Sequence, residues 1–316
     1  MGISMISLFE NNRDMESLEV YLLGDNINAD NIQTLQAMAQ PYGRKIVVIN
    51  VPDLNIPKSL YLGRWPKSAY TRMFCAKLMP NDIHRILYLD CDTIVAGSIK
   101  SLENYDMRGY AIAAVKDCVS SLYKKKIGIN KNDDYVNAGV LLMDLCEMRK
   151  FDISAMMDDF IREYRYLIDY ADQDILNGIF KGKFCMLSPE YDVMTQMCVY
   201  TYSQMMQYRR PSNYYSQEEI ENAQKNPIII HFTTCMLNIR PWFKDSKHPY
   251  LHLFEKYQQI TPWKDRVKNV ATFPNVEHKF IRLAFALPSC ISYRIIGLTH
   301  AIIRPMLTMI LAKFRS

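Results

Sequence analysis

In the stretch RILYLDCDTIVAGSI, residues 85–99, an apolar run ends in two carboxylates separated by one cysteine. The run ILYL is typical of a buried strand, and Asp90 and Asp92 follow it directly. Burying a carboxylate without a partner is strongly unfavourable. The sequence therefore predicts that positive groups, either basic side chains or a metal ion, meet these two aspartates.

Similar apolar segments flank this stretch and alternate with helical patterns. The predicted strands are 17–24, 45–51, 86–90, 110–117, 137–145 and 226–232, and the predicted helices are 28–40, 65–80, 153–167, 172–180 and 216–225. Helices that alternate with strands apolar on both faces predict an α/β fold with a mostly parallel central sheet. Ligands bind such sheets at the carboxyl ends of the strands, where Asp90, Asp92 and Asp117 are predicted to lie.

The composition argues against several other classes of protein. The chain has 316 residues, of which 49% are apolar, and its eight cysteines are scattered without any Cys-x-x-Cys pair. This pattern indicates neither a zinc or redox motif nor a disulfide scaffold. The opening residues MGISMISLFENN lack the cationic start of a signal peptide. We therefore expect a protein of a reducing compartment, without nucleic acid as a partner.

The end of the chain differs from the rest in its charge. From Glu277 onward it has one acidic residue and six basic ones, which are Lys279, Arg282, Arg294, Arg304, Lys313 and Arg315. The longest uncharged run, 283–293, is shorter than the ~20 residues that span a bilayer, and Pro288 and Pro305 are expected to break a long helix. We predict a domain over 1–260 and, over 261–316, a linker and a basic amphipathic tail that lies on an anionic membrane surface. The alternative is a C-terminal helix packed on the body.

The Asp-x-Asp pair has two interpretations. At a strand end both carboxylates would face one crevice, where oxygen ligands suit Mg²⁺ or Mn²⁺. Alternatively, Asp90 and Asp92 form a solvated turn that caps the next helix. His231 ends the apolar run PIIIHF and is either a ligand, which would favour Mn²⁺ over Mg²⁺, or a hydrogen-bonded structural histidine.

Three further segments combine polar residues with an ordinary structural alternative. Asn137 precedes Ala138 and Gly139 at the start of a strand, where a glycine permits close approach of the backbone. The segment DQDILN at 172–177 is either a set of ligands or a helix start with favourable carboxylates. Arg72 is either a site residue or a surface cation of its helix.

Taken in order, the segments of this chain resemble glycosyltransferase family 8, the group of glycogenin and the bacterial lipopolysaccharide galactosyl- and glucosyltransferases. The resemblance covers about residues 1–245 and rests on six segments, SAYTRMF (68–74), RILYLDCDTIV (85–95), AAVKD (113–117), NAGVLLMDL (137–145), ADQDILNGIF (171–180) and IIIHFTTCMLNIRPW (228–242). It implies a GT-A nucleotide-diphospho-sugar transferase fold, a UDP-sugar donor and Mn²⁺, with Mg²⁺ as a possible substitute. It also implies transfer of a hexose, glucose or galactose, with retention at the anomeric carbon.

The resemblance also implies a role for individual residues. Asp90, Asp92 and His231 would hold Mn²⁺, and Cys91 would offer its backbone to the nucleoside. Gln173 would lie on the reacting face of the donor sugar, with Asp172 or Asp174 left open as a nucleophile. The donor would be bound by Arg72, Asp90, Asp117, Asn137 and Asp172 at its sugar and metal end and by Arg240 at its phosphates.

One feature departs from the family pattern. Members begin with a strand that carries nucleoside contacts, whereas this chain opens in the predicted helix GISMISLFENN. We therefore expect the first strand to be missing, and a non-catalytic binding or scaffold protein is the alternative function. The expected acceptor is a cell-surface glycan or lipopolysaccharide-type glycolipid at the cytoplasmic face of the membrane. A metal-dependent phosphoesterase would need more histidine ligands than the single well-placed one.

Overall fold

The computed structural model describes residues 1–24, 26–52, 54, 56, 66–236, 240–271 and 276–314 and confirms the α/β class. The strands are β1 Glu19–Gly24, β2 Lys45–Asn50, β3 Arg85–Leu89, β4 Thr93–Val95, β5 Ile112–Lys116, β6 Val136–Asp144, β7 Phe184–Met186, β8 Val193–Met194 and β9 Ile229–His231. Every predicted strand segment overlaps one of them. The sequence missed β4, β7 and β8, which are too short to show a pattern.

Helices surround these strands along the whole chain. The α-helices are α1 Gly2–Asn11, α2 Ala29–Ala39, α3 Cys75–Leu78, α4 Ser121–Lys126, α5 Leu145–Met148, α6 Ile153–Tyr164, α7 Ala171–Ile179, α8 Thr195–Val199, α9 Tyr202–Arg209, α10 Gln217–Lys225, α11 Leu251–Gln259, α12 Val276–Phe285, α13 Ser289–Leu298 and α14 Arg304–Ala312. Short 3₁₀ turns cover Gln40–Tyr42, Lys67–Phe74, Lys100–Leu102 and Pro189–Tyr191, and Thr299–Ile303 is a π-helix. The predicted helix 65–80 is therefore mainly a 3₁₀ helix that continues into α3.

The strands form three sheets whose pairing is mixed. The orders are β1-β2, β3-β6-β5-β7 and β4-β9-β8. The pairs β1–β2, β5–β7 and β8–β9 are parallel, whereas β3–β6, β5–β6 and β4–β9 are antiparallel. In the four-stranded sheet, β3, β5 and β7 run in the same direction and only β6 runs against them, which agrees with the predicted mostly parallel central sheet. The sequence did not identify β6 as the antiparallel strand, because an apolar strand buried on both faces does not reveal its direction. The absence of a first strand stays a prediction; the opening helix is confirmed as α1.

The core lies on both faces of the long strand β6. Leu141 points into a cluster with Phe160 of α6 and Ile175 of α7, whereas its neighbour Leu142 packs with Met205 of α9. All residues of β6 before Asp144 are buried. The buried strand β6 lies between β3 and β5 and positions both of them.

Two backbone pairings bring the candidate site residues together. Thr93 of β4 lies opposite His231 of β9, and the amide of Asp90 donates to the carbonyl of Gly139 in β6 at 2.8 Å. Helix α1 supports β4, because Ser7 accepts a hydrogen bond from the Val95 amide at 2.9 Å. The residues just after β3 therefore lie beside the end of β9.

The C-terminal tail packs on the body through α13, which runs against α9. The predicted break at Pro305 is wrong, because α13, the π-helix and α14 form one continuous helical segment. A proline has no amide hydrogen for the carbonyl four residues before it. The hydroxyl of Ser120 donates to that carbonyl, Ala301, at 2.8 Å instead. By length and composition alone, Ile291–Ala312 could also cross a membrane. The length of the longest uncharged run did not predict this.

Replacing Gly297 with alanine should loosen the tail. A Cβ at this position would overlap the backbone carbonyl of Gln207, so α13 would have to move away from α9. We expect the free energy of unfolding, measured by chemical denaturation, to fall by about 1–3 kcal/mol. Gly97→Ala is the matched control, since its Cβ would meet Ile228 at an ordinary 3.5 Å. Equal stability of both variants would contradict tight docking of the tail.

Candidate active site

A cavity of about 190 Å³ gathers most of the predicted site residues at the ends of β3, β6 and β9. The predicted residues that line it are Arg72, Asp90, Asp92, Asp117, Asn137, Asp172, Gln173, His231 and Arg240. Cys91 and Asp174 do not line it. The cavity also contains residues that the sequence analysis did not single out, among them Gln196 and Arg209.

Asp90, Asp92 and His231 form a cluster that fits a divalent cation. One ligand atom from each lies within 4.8 Å of the others. The Nε2 atom of His231 is 3.2 Å from Asp92 Oδ1 and 3.9 Å from Asp90 Oδ2. Two carboxylates and one imidazole are suitable ligands for Mn²⁺, and the carboxylates also suit Mg²⁺. The chemistry of this donor set therefore agrees with the metal that the sequence predicted.

The backbone of Gly139 packs directly against the side chains of His231 and Asp90. A Cβ there would overlap the ring of His231 and lie 2.9 Å from the Asp90 carboxylate. The predicted close approach at this glycine is therefore present, and what approaches the backbone is the imidazole. Because the space of one methyl group is taken by the two candidate ligands, no other amino acid fits without moving them.

Asp192 orients His231 from behind, and the sequence analysis missed it. Its Oδ1 atom lies 3.0 Å from His231 Nδ1, and its side chain is fully buried. A carboxylate on one ring nitrogen fixes the imidazole so that the other nitrogen faces a metal. Burial alone would lower the pKa of His231, but the carboxylates of Asp192 and Asp92 outweigh it and raise that pKa well above its usual value.

The two aspartates of the pair are balanced by different cations. Arg240 Nη2 lies 3.1 Å from Asp92 Oδ2, and its guanidinium stacks 5.2 Å from the ring centre of Trp242. Burial acts to raise the pKa of Asp92, but His231 and Arg240 lower it to about 2. Asp92 is therefore ionised at neutral pH. Arg240 is about one-third exposed, so it stays accessible to an anion at the cavity mouth.

Arg72 joins Asp90 to Asp172 across the cavity. Its Nη2 lies 2.8 Å from Asp90 Oδ1 and its Nε lies 2.8 Å from Asp172 Oδ2. It also donates to the carbonyl of Ala138. Burial raises the pKa of Asp172 to about 6, with Arg72 opposing that rise. The Arg72 guanidinium thus binds two carboxylates, so it has fewer hydrogen-bond donors left for a sugar than the family resemblance implies.

Gln173 lines the cavity, and hydrogen bonds to both the oxygen and the nitrogen of its amide fix its side chain. Its Oε1 accepts from Asn137 Nδ2 at 3.1 Å and from the Ala138 amide at 3.2 Å. Its Nε2 donates to Asp117 Oδ2 at 3.0 Å. Asp117 accepts a further bond from Gln196 Nε2 at 2.8 Å. This network holds Asp117, Asn137 and Gln173 as one preorganised polar wall.

Asp174 has a structural environment instead of a catalytic one. It is fully buried and accepts from the hydroxyls of Tyr123 and Tyr135 and from the amides of Asp169 and Tyr170. With every approach occupied, it fixes the start of α7 and cannot reach a sugar in the cavity. The nucleophile role that the sequence left open for it therefore has no geometric support.

Comparison with known proteins gives a consistent family. The sequence profile of Glycosyl transferase family 8 matches residues 1–246. General stress protein A of Bacillus subtilis is 26% identical over 83% of this chain and 90% of its own length. Lipopolysaccharide 1,2-glucosyltransferase of Escherichia coli K12 is 24% identical over 84% of this chain and 75% of its own.

Solved structures share the fold. A galactosyltransferase, LgtC, in complex with donor and acceptor sugar analogues superimposes with a TM-score of 0.67 at 24% identity, covering 83% of this chain and 91% of its own. The apo structure of the bifunctional glycosyltransferase WbbM gives a TM-score of 0.63 at 17% identity, covering 84% of this chain and 48% of its own. At such identities the likeness establishes a GT-A-like fold.

Replacing Gly139 with alanine should disable the cation cluster. The added methyl group would displace His231 and Asp90, so we expect Mn²⁺ to bind about 10- to 100-fold more weakly, a loss typical of disturbed ligand support. Titration calorimetry with Mn²⁺ measures this affinity. Gly97→Ala, which adds the same methyl group outside the cavity, should leave it unchanged. Wild-type affinity in Gly139→Ala would mean that the ion binds elsewhere.

Proposed function

The chain belongs to glycosyltransferase family 8, and from this membership we propose that it transfers a hexose, glucose or galactose, from a UDP-sugar to a glycan or glycolipid acceptor with retention at the anomeric carbon. The observation that carries the proposal is the convergence of Asp90, Asp92 and His231 beside the polar wall of Gln173, Asn137 and Asp117. One cavity thus offers a cation site next to donors and acceptors for sugar hydroxyls.

The main chemical task is to stabilise the departing UDP. Negative charge develops on its diphosphate, and positive groups that are already in place stabilise that charge without reorganisation. Mn²⁺ held by Asp90, Asp92 and His231 would supply a Lewis acid for this diphosphate. Arg240, at the cavity mouth and in contact with Asp92, would bind the same phosphates from the protein side.

The donor sugar would lie against the polar wall. Gln173 presents a fixed amide at the centre of the cavity, while Asn137 and Asp117 hold it in place. Asp172 forms an ion pair with Arg72. Both carboxylate oxygens of Asp117 accept hydrogen bonds. Among the cavity residues that the structure describes, we find no carboxylate free to form a covalent intermediate. We therefore propose that the acceptor attacks on the same face from which UDP leaves.

Replacing Asp92 with alanine should abolish transfer while the protein stays folded. The variant loses a cation ligand and the partner of Arg240, so we expect Mn²⁺-dependent release of UDP from UDP-glucose or UDP-galactose to fall about 100-fold or more. Asp159→Ala, at an exposed carboxylate of α6, is the matched control and should keep wild-type rates. Equal UDP release by Asp92→Ala and wild type would favour the non-catalytic alternative.

We further propose that the tail lies on an anionic membrane surface at the cytoplasmic face. Helices α12 to α14 expose the apolar residues Leu283, Leu287, Ile291, Leu298, Ile303, Leu307, Ile310 and Leu311. No acidic residue follows Glu277, so this part of the chain carries an excess of positive charge, which favours anionic lipids. The other face of α13 packs on α9, which supports a helix on the surface over one that crosses the bilayer. A lipid-linked acceptor would lie at the same surface.

Placing charge on the exposed apolar face should release the protein from membranes. Leu307→Glu combined with Leu311→Glu puts two carboxylates where about half of each side chain is exposed, and both the apolar and the electrostatic attraction weaken. We expect co-sedimentation with phosphatidylserine-containing vesicles to be lost while UDP release in solution persists. Val267→Glu, at an exposed residue before the tail, should bind as wild type does. Undiminished binding of the double variant would rule out this surface.

A further inference from the structure

We propose that the C-terminal helix forms part of the active site, because His300 holds Arg209 in the cavity wall and Arg209 in turn holds Asp117. Arg209 is a positioning residue in this proposal, since it acts through Asp117 on Gln173. The kinetic consequence rests on the proposed transferase function, whereas the structural consequence does not. A membrane-associated tail would then be an integral support of the catalytic cavity as well as an anchor.

Each of the three nitrogens of the Arg209 guanidinium has a partner. Its Nε donates to the carbonyl of Cys118 at 2.6 Å, and its Nη2 lies 3.4 Å from Asp117 Oδ1. Its Nη1 lies 2.9 Å from His300 Nε2. The side chain is only 11% exposed, so each lost partner would leave a buried donor unsatisfied, which is unfavourable.

The chemistry of the pair fixes the state of His300. A guanidinium stays protonated and only donates hydrogen bonds. His300 Nε2 must therefore accept from Arg209, which requires a neutral imidazole with its hydrogen on Nδ1. The ring of His300 also lies 5.0 Å from the ring of Tyr208, the neighbour of Arg209. His300 is thus a hydrogen-bond acceptor for Arg209.

The tail meets the body in a defined register. Gly297 allows the backbone of α13 to approach Gln207 in α9 so closely that a Cβ would not fit. One turn later, the Ser120 hydroxyl bonds the Ala301 carbonyl at 2.8 Å. Both His300 and Ala301 lie in the π-helix Thr299–Ile303, and such segments often occur at functional sites. These contacts aim His300 at Arg209.

From Arg209 the hydrogen bonds lead to the centre of the cavity. Asp117 Oδ1, which faces Arg209, also accepts from the Cys118 amide at 2.7 Å and from Gln196. Asp117 Oδ2 accepts from Gln173 Nε2. If Arg209 loses its partner on the tail, the carboxylate that orients Gln173 loses part of its support. The expected result is a slower reaction step with an unchanged fold.

The test compares two replacements of His300. Leucine fills a similar space but accepts no hydrogen bond, whereas the amide oxygen of glutamine can replace Nε2. With no vesicles present, we expect kcat for UDP release to fall about 10-fold in His300→Leu, as the loss of a hydrogen bond to a charged group implies. His300→Gln should stay within about threefold of wild type. Val267→Ala, at an exposed residue away from the cavity and from the apolar face of the tail, should not change the rate.

Hydrogen exchange provides a readout that does not depend on activity. The Cys118 amide, which donates to Asp117, should exchange faster in His300→Leu than in His300→Gln or wild type. Equal exchange in the two His300 variants, or an unchanged kcat of His300→Leu in an active enzyme, would overturn the proposal. If the wild-type protein releases no UDP from either sugar donor, the proposed function fails, and the exchange comparison alone decides whether the tail supports the cavity.

Discussion

The compensation of buried negative charge is the constraint on which the rest of this structure depends. Asp90 and Asp172 share the guanidinium of Arg72, and Asp192 is held against His231. Because a buried carboxylate without a partner is strongly unfavourable, Arg72 and His231 must lie where they reach these acids. The same arrangement leaves one nitrogen of His231 facing the Asp-x-Asp pair, where a divalent cation fits.

The backbone makes this concentration of charge possible. Strand β6 is buried along its length, and the link between β3 and β4 places the two aspartates beside the start of β6. The amide of Asp90 is bonded to Gly139, and the missing side chain of that glycine leaves room for the imidazole of His231. A preorganised site of this kind stabilises developing charge without having to rearrange during the reaction, which is what the proposed departure of a nucleoside diphosphate would require.

The two faces of the C-terminal tail have different surroundings. Its exposed face is apolar and basic, whereas its other face packs on α9 around Gly297. Pro305 lies within the helical segment because Ser120 bonds the carbonyl that the proline leaves free. The π-helix then turns His300 towards Arg209. The proposed anchoring and the proposed support of the cavity would thus use opposite faces of the same segment.

The features that depend on local pattern could be predicted from the sequence. It predicted the longer strands, the polar residues that follow them, the basic tail and, through six ordered segments, the family. Three features required the three-dimensional structure: the antiparallel direction of some strands, the tyrosine hydroxyls bound to Asp174, and the places of Asp192 and Arg209 in the site. The physical reason is that these roles arise from contacts between residues far apart in the chain, such as position 192 with 231 and position 209 with 300. No local periodicity or spacing records such contacts.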